Sequence, residues 1–257
     1  MASKRKVNIS TSFLKFFIAV LLITLVGMAI YRKAHDFFMT SPIFQVKIIA
    51  VDPSIQFVSS KILNRLVGRN IFSVNLKKVR QELGQQYPQI SNLRVQRKFP
   101  DTISVVAQRR DPFAVVMLKG KYLLVDKEAV VISMLGQLNP QFPLIRGLDG
   151  LKIPIVLGGQ LSSQHVHVAI DLIKLYRSSP YFVKLVVSQI DVGNLTKIML
   201  TLNNQAMVIV DRSGLQNQLN VLGMLLSQNR IKWEEVNYID LRFKEPVVLK
   251  KVLDIKE

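Results

Sequence analysis

Residues 95–116 read VQRKFPDTISVVAQRRDPFAVV, two apolar runs folded around one Phe99-Pro100-Asp101 corner. Leu93 and Val95 alternate with Asn92, Arg94 and Gln96, and Ile103 and Val105 alternate with Thr102 and Ser104. A period of two is the signature of a strand with one buried face. Proline cannot continue a ladder, so the corner reads as a hairpin turn. The pair is strongly basic, with Arg94, Arg97, Lys98, Arg109 and Arg110. Two readings of that charge stand: a solvated sheet face, or a contact surface for an adjacent membrane or an acidic partner.

Upstream, FQVKIIAV (44–51) predicts a strand, broken by Asp52-Pro53. Val58, Ile62 and Leu66 recur at helical spacing behind Ser59 or Ser60 as a cap, and Gly68 stands where a helix ends. A second helix is predicted from Leu76 to Tyr87, with Leu76, Val79 and Leu83 on one face, Asn75 as cap and Pro88 as stop. The order over residues 44–112 is therefore β-α-α-β-β, two helices covering one face of a short sheet.

From residue 113 onward short strands dominate, at FAVVML, KYLLVD and AVVISML, then at 185–192, 197–202 and 206–210. Two helices interrupt them. The first runs from Ser163 to Arg177 with Val166, Ile170 and Ile173 on one face. The second runs from Leu215 to about Gln228, with Leu215, Leu219, Leu222 and Leu226 in phase and Ser213 as cap. The fold class is α+β, with a β-rich second domain of mixed strands and two helices over 113–257.

The N-terminus sets the class of protein. FLKFFIAVLLITLVGMAIY (13–31) carries one charge, Lys15, near its start. As a helix it spans about 28 Å, close to the ~30 Å hydrocarbon core of a bilayer. Lys4, Arg5, Lys6 and Lys15 precede the run and Arg32 and Lys33 follow it, which places the N-terminus in the cytoplasm. This gives a cytoplasmic tail (1–12), one transmembrane helix (13–31), a polar juxtamembrane linker (32–43) and exported domains. A cleaved signal peptide is the other reading, with Gly27-Met28-Ala29 as its cleavage site. The run is longer than an ordinary signal core and continues through Ile30 and Tyr31, which favours an uncleaved anchor.

The chain carries 35 basic and 17 acidic residues, a formal charge of +18, and no cysteine. Residues 1–33 hold six Lys/Arg and no acid, and residues 40–116 hold twelve against four. The excess thus lies beside the membrane anchor, suiting anionic lipid, and export excludes nucleic acid as a partner. The lack of cysteine excludes disulfides and thiolate metal sites.

Signs of catalysis are missing. His165 and His167 fall two apart in a predicted helix, on different faces, and cannot share a metal as an i,i+4 pair does. There is no phosphate loop, no GxGxxG after a strand and no GxSxG. Asp126, Asp191, Asp211 and Asp240 stand at predicted strand ends, where acids make turns. The reading is a protein that is not an enzyme and needs no cofactor or metal.

The β-α-α-β-β order, the run R-x-F-P-D-T-I-x-V (97–105) and RRDPFA (109–114) resemble the POTRA module of the bacterial cell-division family FtsQ/DivIB. The resemblance continues through YLLVDKEAVVI (122–132), FPLIRGL (142–148) and VNYIDLRFKEPVVLKK (236–251). Two departures stand out: Ala129 replaces a usual glycine, and Arg109 stands where many members carry glutamate. The resemblance implies a bitopic scaffold at the division septum in the cytoplasmic (inner) membrane, linking early and late septum-building proteins. It implies partners similar to the bitopic division proteins FtsB and FtsL, received by edge-strand addition on the last strands. Arg242 and Phe243 carry over from the motif; Val247, Val248 and Leu249 follow from position. Arg94, Arg97, Lys98, Arg109 and Arg110 are the candidate POTRA or membrane-surface contact. POTRA modules also occur in envelope assembly and secretion factors, the alternative function, although those end in a long barrel of alternating strands.

Overall fold

The computed structural model describes residues 11–58, 61–182, 185–203, 205–227 and 236–250. The chain divides into two compact units, residues 1–83 with 92–107, and residues 84–91 with 108–257. The cap at Ser59 or Ser60, the tail through residue 10, Gln228 and Lys251 lie outside the described residues.

In the first unit, helix α1 (Thr11–Thr40) precedes strand β1 (Ile48–Val51) and the short helix α2 (Lys61–Asn64). Helix α3 (Leu76–Gln86) and strands β2 (Ile90–Lys98) and β3 (Thr102–Arg109) follow. The sheet order is β1-β3-β2, with β1 parallel to β3 and Ile49 opposite Ile103. Ile103 and Val105 are fully buried in the central strand and share the core with Val79 and Leu83 of α3, as the spacing predicts. The Asn75 side chain accepts the Lys78 N–H at 3.0 Å and so caps α3. Gly68 takes φ +81°, a left-handed break open to glycine.

Two elements differ from the sequence reading. The helix read through residues 58–68 is confined to α2, ending in turns before Gly68. The apolar helix also does not stop at Tyr31. It passes through Arg32 and Lys33 to Thr40, so the expected linker is largely helical. Lys15–Thr40 is long and apolar enough to cross a membrane.

Among the described residues, the second unit is a nine-stranded open sheet with two α-helices. Its elements are β4 (Ala114–Leu118), β5 (Lys121–Val125), β6 (Val131–Leu135), β7 (Leu144–Arg146), α4 (Gln164–Ser178), β8 (Val187–Asp191), β9 (Ile198–Leu202), β10 (Met207–Val210), α5 (Leu215–Ser227), β11 (Val236–Asp240) and β12 (Val247–Lys250). The spatial order is β12-β11-β10-β9-β8-β7-β4-β5-β6. Pairing is mixed: β4–β7, β7–β8 and β10–β11 are parallel, the others antiparallel. Val166, Ile170 and Ile173 of α4 and Leu219 and Leu222 of α5 are buried in one core with the inward residues of the sheet. The sheet does not close, so the long barrel of the assembly-factor alternative is not found among the described residues.

A short 3-10 turn, Arg212–Gly214, leads into α5 and is capped by Asp211, which accepts the Ser213 N–H at 2.7 Å. The hydroxyl of Ser213, the residue expected to cap the helix, donates to the same carboxylate.

The glycine of FPLIRGL has a definite task. Gly147 takes φ +86° directly after β7, and a Cβ there would collide with the Asp191 carboxylate and the Gly193 backbone. Asp191 in turn accepts from Arg146 Nε at 3.0 Å and from Gly193 N–H at 3.0 Å. Gly147→Ala is expected to destabilise the protein by about 3 kcal/mol or more, left-handed strain plus overlap. Denaturant unfolding of the detergent-solubilised full chain checks this, and an unchanged midpoint would refute it.

Candidate functional site: the open sheet edge and its braces

β12 is the last strand of the sheet at one end, paired only with β11 among the described strands. All four of its residues are exposed, so the strand is wet on both faces. Val247, Val248 and Leu249 are exposed and not core residues. Phe243, in the loop between β11 and β12, is 58% exposed.

The loop is not loose, because Arg242 ties it down. Arg242 Nε donates to Asp240 Oδ1 at 3.0 Å, and Nη2 donates to Asp240 Oδ2 at 2.7 Å. Nη1 reaches the Thr196 carbonyl at 3.3 Å. Its guanidinium carbon lies 5.6 Å from the centre of the Phe243 ring. The side-chain bonds from Arg242 hold the Asp240 carboxyl below the usual carboxylate range, against the opposing effect of burial. The same bonds raise Arg242. Arg242 therefore positions the loop, while Phe243 is presented to solvent.

The candidate basic face is only partly a face. Arg94, Lys98 and Arg109 are exposed. Arg97 folds inward, donating to the carbonyls of Ile71 at 2.8 Å and Val74 at 2.7 Å. It is in phase with Leu93 and Val95 on β2, a parity the sequence carries. Arg110 donates through Nη1 to Asp126 and through Nε to the Ile90 carbonyl at 3.0 Å, with only 15% of its side chain exposed. Asp126 also accepts the N–H groups of Glu128 and Val130, both at 2.9 Å. RRDPFA is thus locked to the β5–β6 turn, a contact that no spacing in the sequence announces. Ala129, within that turn, takes φ +63°, the backbone that the usual glycine adopts without strain.

His165 and His167 flank buried Val166 on α4, and no cluster of metal-binding side chains occurs among the described residues.

Removing Arg110 would leave a buried carboxylate unpaired. Arg110→Ala is expected to cost about 3 kcal/mol, read by thermal unfolding, while Arg109→Ala stays within about 0.5 kcal/mol. Equal effects would refute the brace. Asp240 gives a pH signature. Its folded pKa lies below the unfolded value, so its contribution is present at neutral pH and is lost as pH falls through the folded pKa. The stability gap between the wild-type chain and Asp240→Asn should be about 2 kcal/mol at neutral pH and close below about pH 4. A gap constant with pH would refute it.

Two stretches of the chain match known families. Residues 54–108 match the family described as POTRA domain, FtsQ-type. Residues 114–242 match Cell division protein FtsQ/DivIB, C-terminal. Among similar proteins, Cell division protein DivIB of Clostridium acetobutylicum is 24% identical over 210 residues, 79% of this chain and 81% of that protein. Cell division protein FtsQ of Syntrophotalea carbinolica is 25% identical over 222 residues, 84% of this chain and 77% of that one. Cell division protein FtsQ of Neisseria meningitidis is 29% identical over 134 residues, 50% of this chain and 54% of that one.

Proposed function

The chain belongs to the FtsQ/DivIB family of bacterial cell-division proteins, and from that membership we propose that it is a non-enzymatic, single-pass scaffold of the division machinery. α1 is its membrane anchor, with the basic N-terminal side in the cytoplasm and the residues that follow α1 outside. Its role is to join early and late septum-building proteins through extracytoplasmic contacts at the division site.

The observation that carries this reading is the exposed edge strand β12. An extended segment of a bitopic FtsB/FtsL-like partner adds to it as the next strand, its backbone supplying general affinity and side-chain contacts supplying selectivity. Val247, Val248 and Leu249 offer apolar contacts on either face, and Phe243, held at the lip by Arg242, is the aromatic anchor. Arg94, Lys98 and Arg109 remain available to an anionic surface, each contributing about 1 kcal/mol within a Debye length of it. Arg97 and Arg110 act inside the fold.

Pull-down of the FtsB/FtsL pair from the same organism by the detergent-solubilised full chain tests the edge. Phe243→Lys and Leu249→Asp should each weaken capture about ten-fold or more while unfolding at the wild-type temperature. Wild-type capture by both variants would rule out this edge.

A further inference from the structure

α1 does not end free in solvent. Asn70 fastens its last turn to the first unit, its Nδ2 donating to the carbonyls of Phe38 at 2.7 Å and Met39 at 2.9 Å. The Asn70 Oδ1 accepts the Phe72 N–H at 2.8 Å. Helix-end carbonyls that would otherwise face water are thereby satisfied from a loop some thirty residues away. The Ile71 N–H donates to the Phe44 carbonyl at 2.7 Å, closing the joint from the other side.

Phenylalanine rings form a continuous ribbon over this joint. Phe37 meets Phe38 at 5.8 Å and Phe44 at 6.1 Å between ring centres. Phe38 and Phe44 both meet Phe72, at 5.7 and 5.3 Å, and Phe72 meets Phe99 at 5.3 Å. Phe99 is the tip of the β2–β3 corner, so the ribbon runs from the helix to the far end of the hairpin. Such a ribbon belongs in a core, yet Phe37 is 55% exposed, Phe99 61% and neighbouring Ile43 53%. Beside it lies an apolar hollow of about 390 Å³ between Tyr31, Ala34, His35, Phe38, Met39 and Phe72.

The place of this patch along α1 identifies what covers it. With Lys15 at the cytoplasmic boundary, about twenty residues at 1.5 Å each fill the ~30 Å hydrocarbon core and bring the outer boundary to about His35. Phe37 and Phe38 then stand within ~5 Å of that boundary, in the headgroup layer. Arg32 and Lys33, one turn below, reach upward to the phosphates with their long side chains. Arg69 and Lys98 are exposed and directly precede Asn70 and Phe99 in the chain, adding positive charge next to ribbon residues. Exposed aromatic rings with cations beside them, continuous with a membrane-crossing helix, match the headgroup–acyl boundary of a bilayer.

We propose that the phenylalanine ribbon is seated in the outer leaflet, with lipid acyl chain filling the hollow, so that the first extracytoplasmic unit lies on the membrane. This rests on the reading of α1 as a membrane span. The ribbon extends that span sideways, replacing a flexible tether with a flat foot. The lipid contact is apolar insertion and depends on Phe37 and Phe99 before it depends on any arginine.

The chain lacks cysteine, so single-cysteine labelling needs no background change. The full chain is reconstituted in phosphatidylethanolamine–phosphatidylglycerol vesicles carrying a polarity-sensitive fluorophore at Ile43→Cys, which leaves every ring in place, or at Leu22→Cys within the span. Lipids spin-labelled near the glycerol should quench the Ile43→Cys label about two-fold or more, consistent with insertion of ~5–10 Å, and aqueous iodide should have little effect. Adding Phe37→Ser with Phe99→Ser should reverse that preference. Deep quenching of the Leu22→Cys label, with the Ile43→Cys label open to iodide, would overturn the ribbon while the span stands. Lipid quenching at Ile43→Cys that survives loss of both rings would overturn it as well. An unquenched Leu22→Cys label would remove the span and this inference together.

Discussion

An outermost strand leaves every second backbone N–H and C=O facing outward with no partner, and a nine-stranded open sheet has two such strands. The second unit treats its two ends differently. At β6 the chain covers the start of its edge: the Val131 N–H donates to the Gly159 carbonyl, and the Gly158 and Leu161 N–H groups donate to the Val131 and Ala129 carbonyls. At β12 no further strand lies outside among the described residues. β4 is buried along nearly its whole length, β9 buries Ile198, Leu200 and Leu202 in alternation, and β12 buries none of its residues. The open edge follows from how the chain covers the start of the β6 edge and leaves β12 exposed.

Much of this was legible in the residues. Alternation announced the strands around the Phe99-Pro100-Asp101 corner, and spacing of three and four announced α3, α4 and α5. Local capping was legible where the cap lies within three residues, as at Asn75. Contacts across long stretches of sequence were not. Arg110 and Asp126 stand sixteen residues apart, and only strand order brings them together. Arg32 and Lys33 read as the end of a helix because charge normally marks the membrane boundary. α1 instead runs on to Thr40, where Asn70, far along the chain, bonds the carbonyls of its last turn. The edge position of β12 is likewise a property of strand order, which no periodicity encodes.

Ala129 illustrates a local rule broken at low cost. A left-handed conformation costs an L-residue about 1–2 kcal/mol. The Ala129 methyl is fully buried in the second unit's core, and one buried carbon offsets about 0.8 kcal/mol of that strain. The turn is also held from outside itself, by Asp126 accepting two backbone amides and by Arg110 gripping Asp126. With the geometry imposed by these bonds, glycine's conformational freedom is no longer what makes the turn.

β12 has the opposite problem, since an exposed apolar strand is a template for any chain that passes. Its surroundings narrow what can pair with it. Pro246, immediately before the strand, has no N–H to offer, so an incoming ladder has no donor there. Lys244 and Lys250 stand on either side of the apolar triplet and repel basic segments, including further copies of a chain with net charge +18. Arg242, held by Asp240, fixes where Phe243 stands relative to the first paired residue. The result is a short pairing frame with a proline at its start, charges around it and one aromatic ring at a set distance. For a partner that pairs here as proposed, Pro246 and Phe243 set the register, since β12 itself is exposed on both faces.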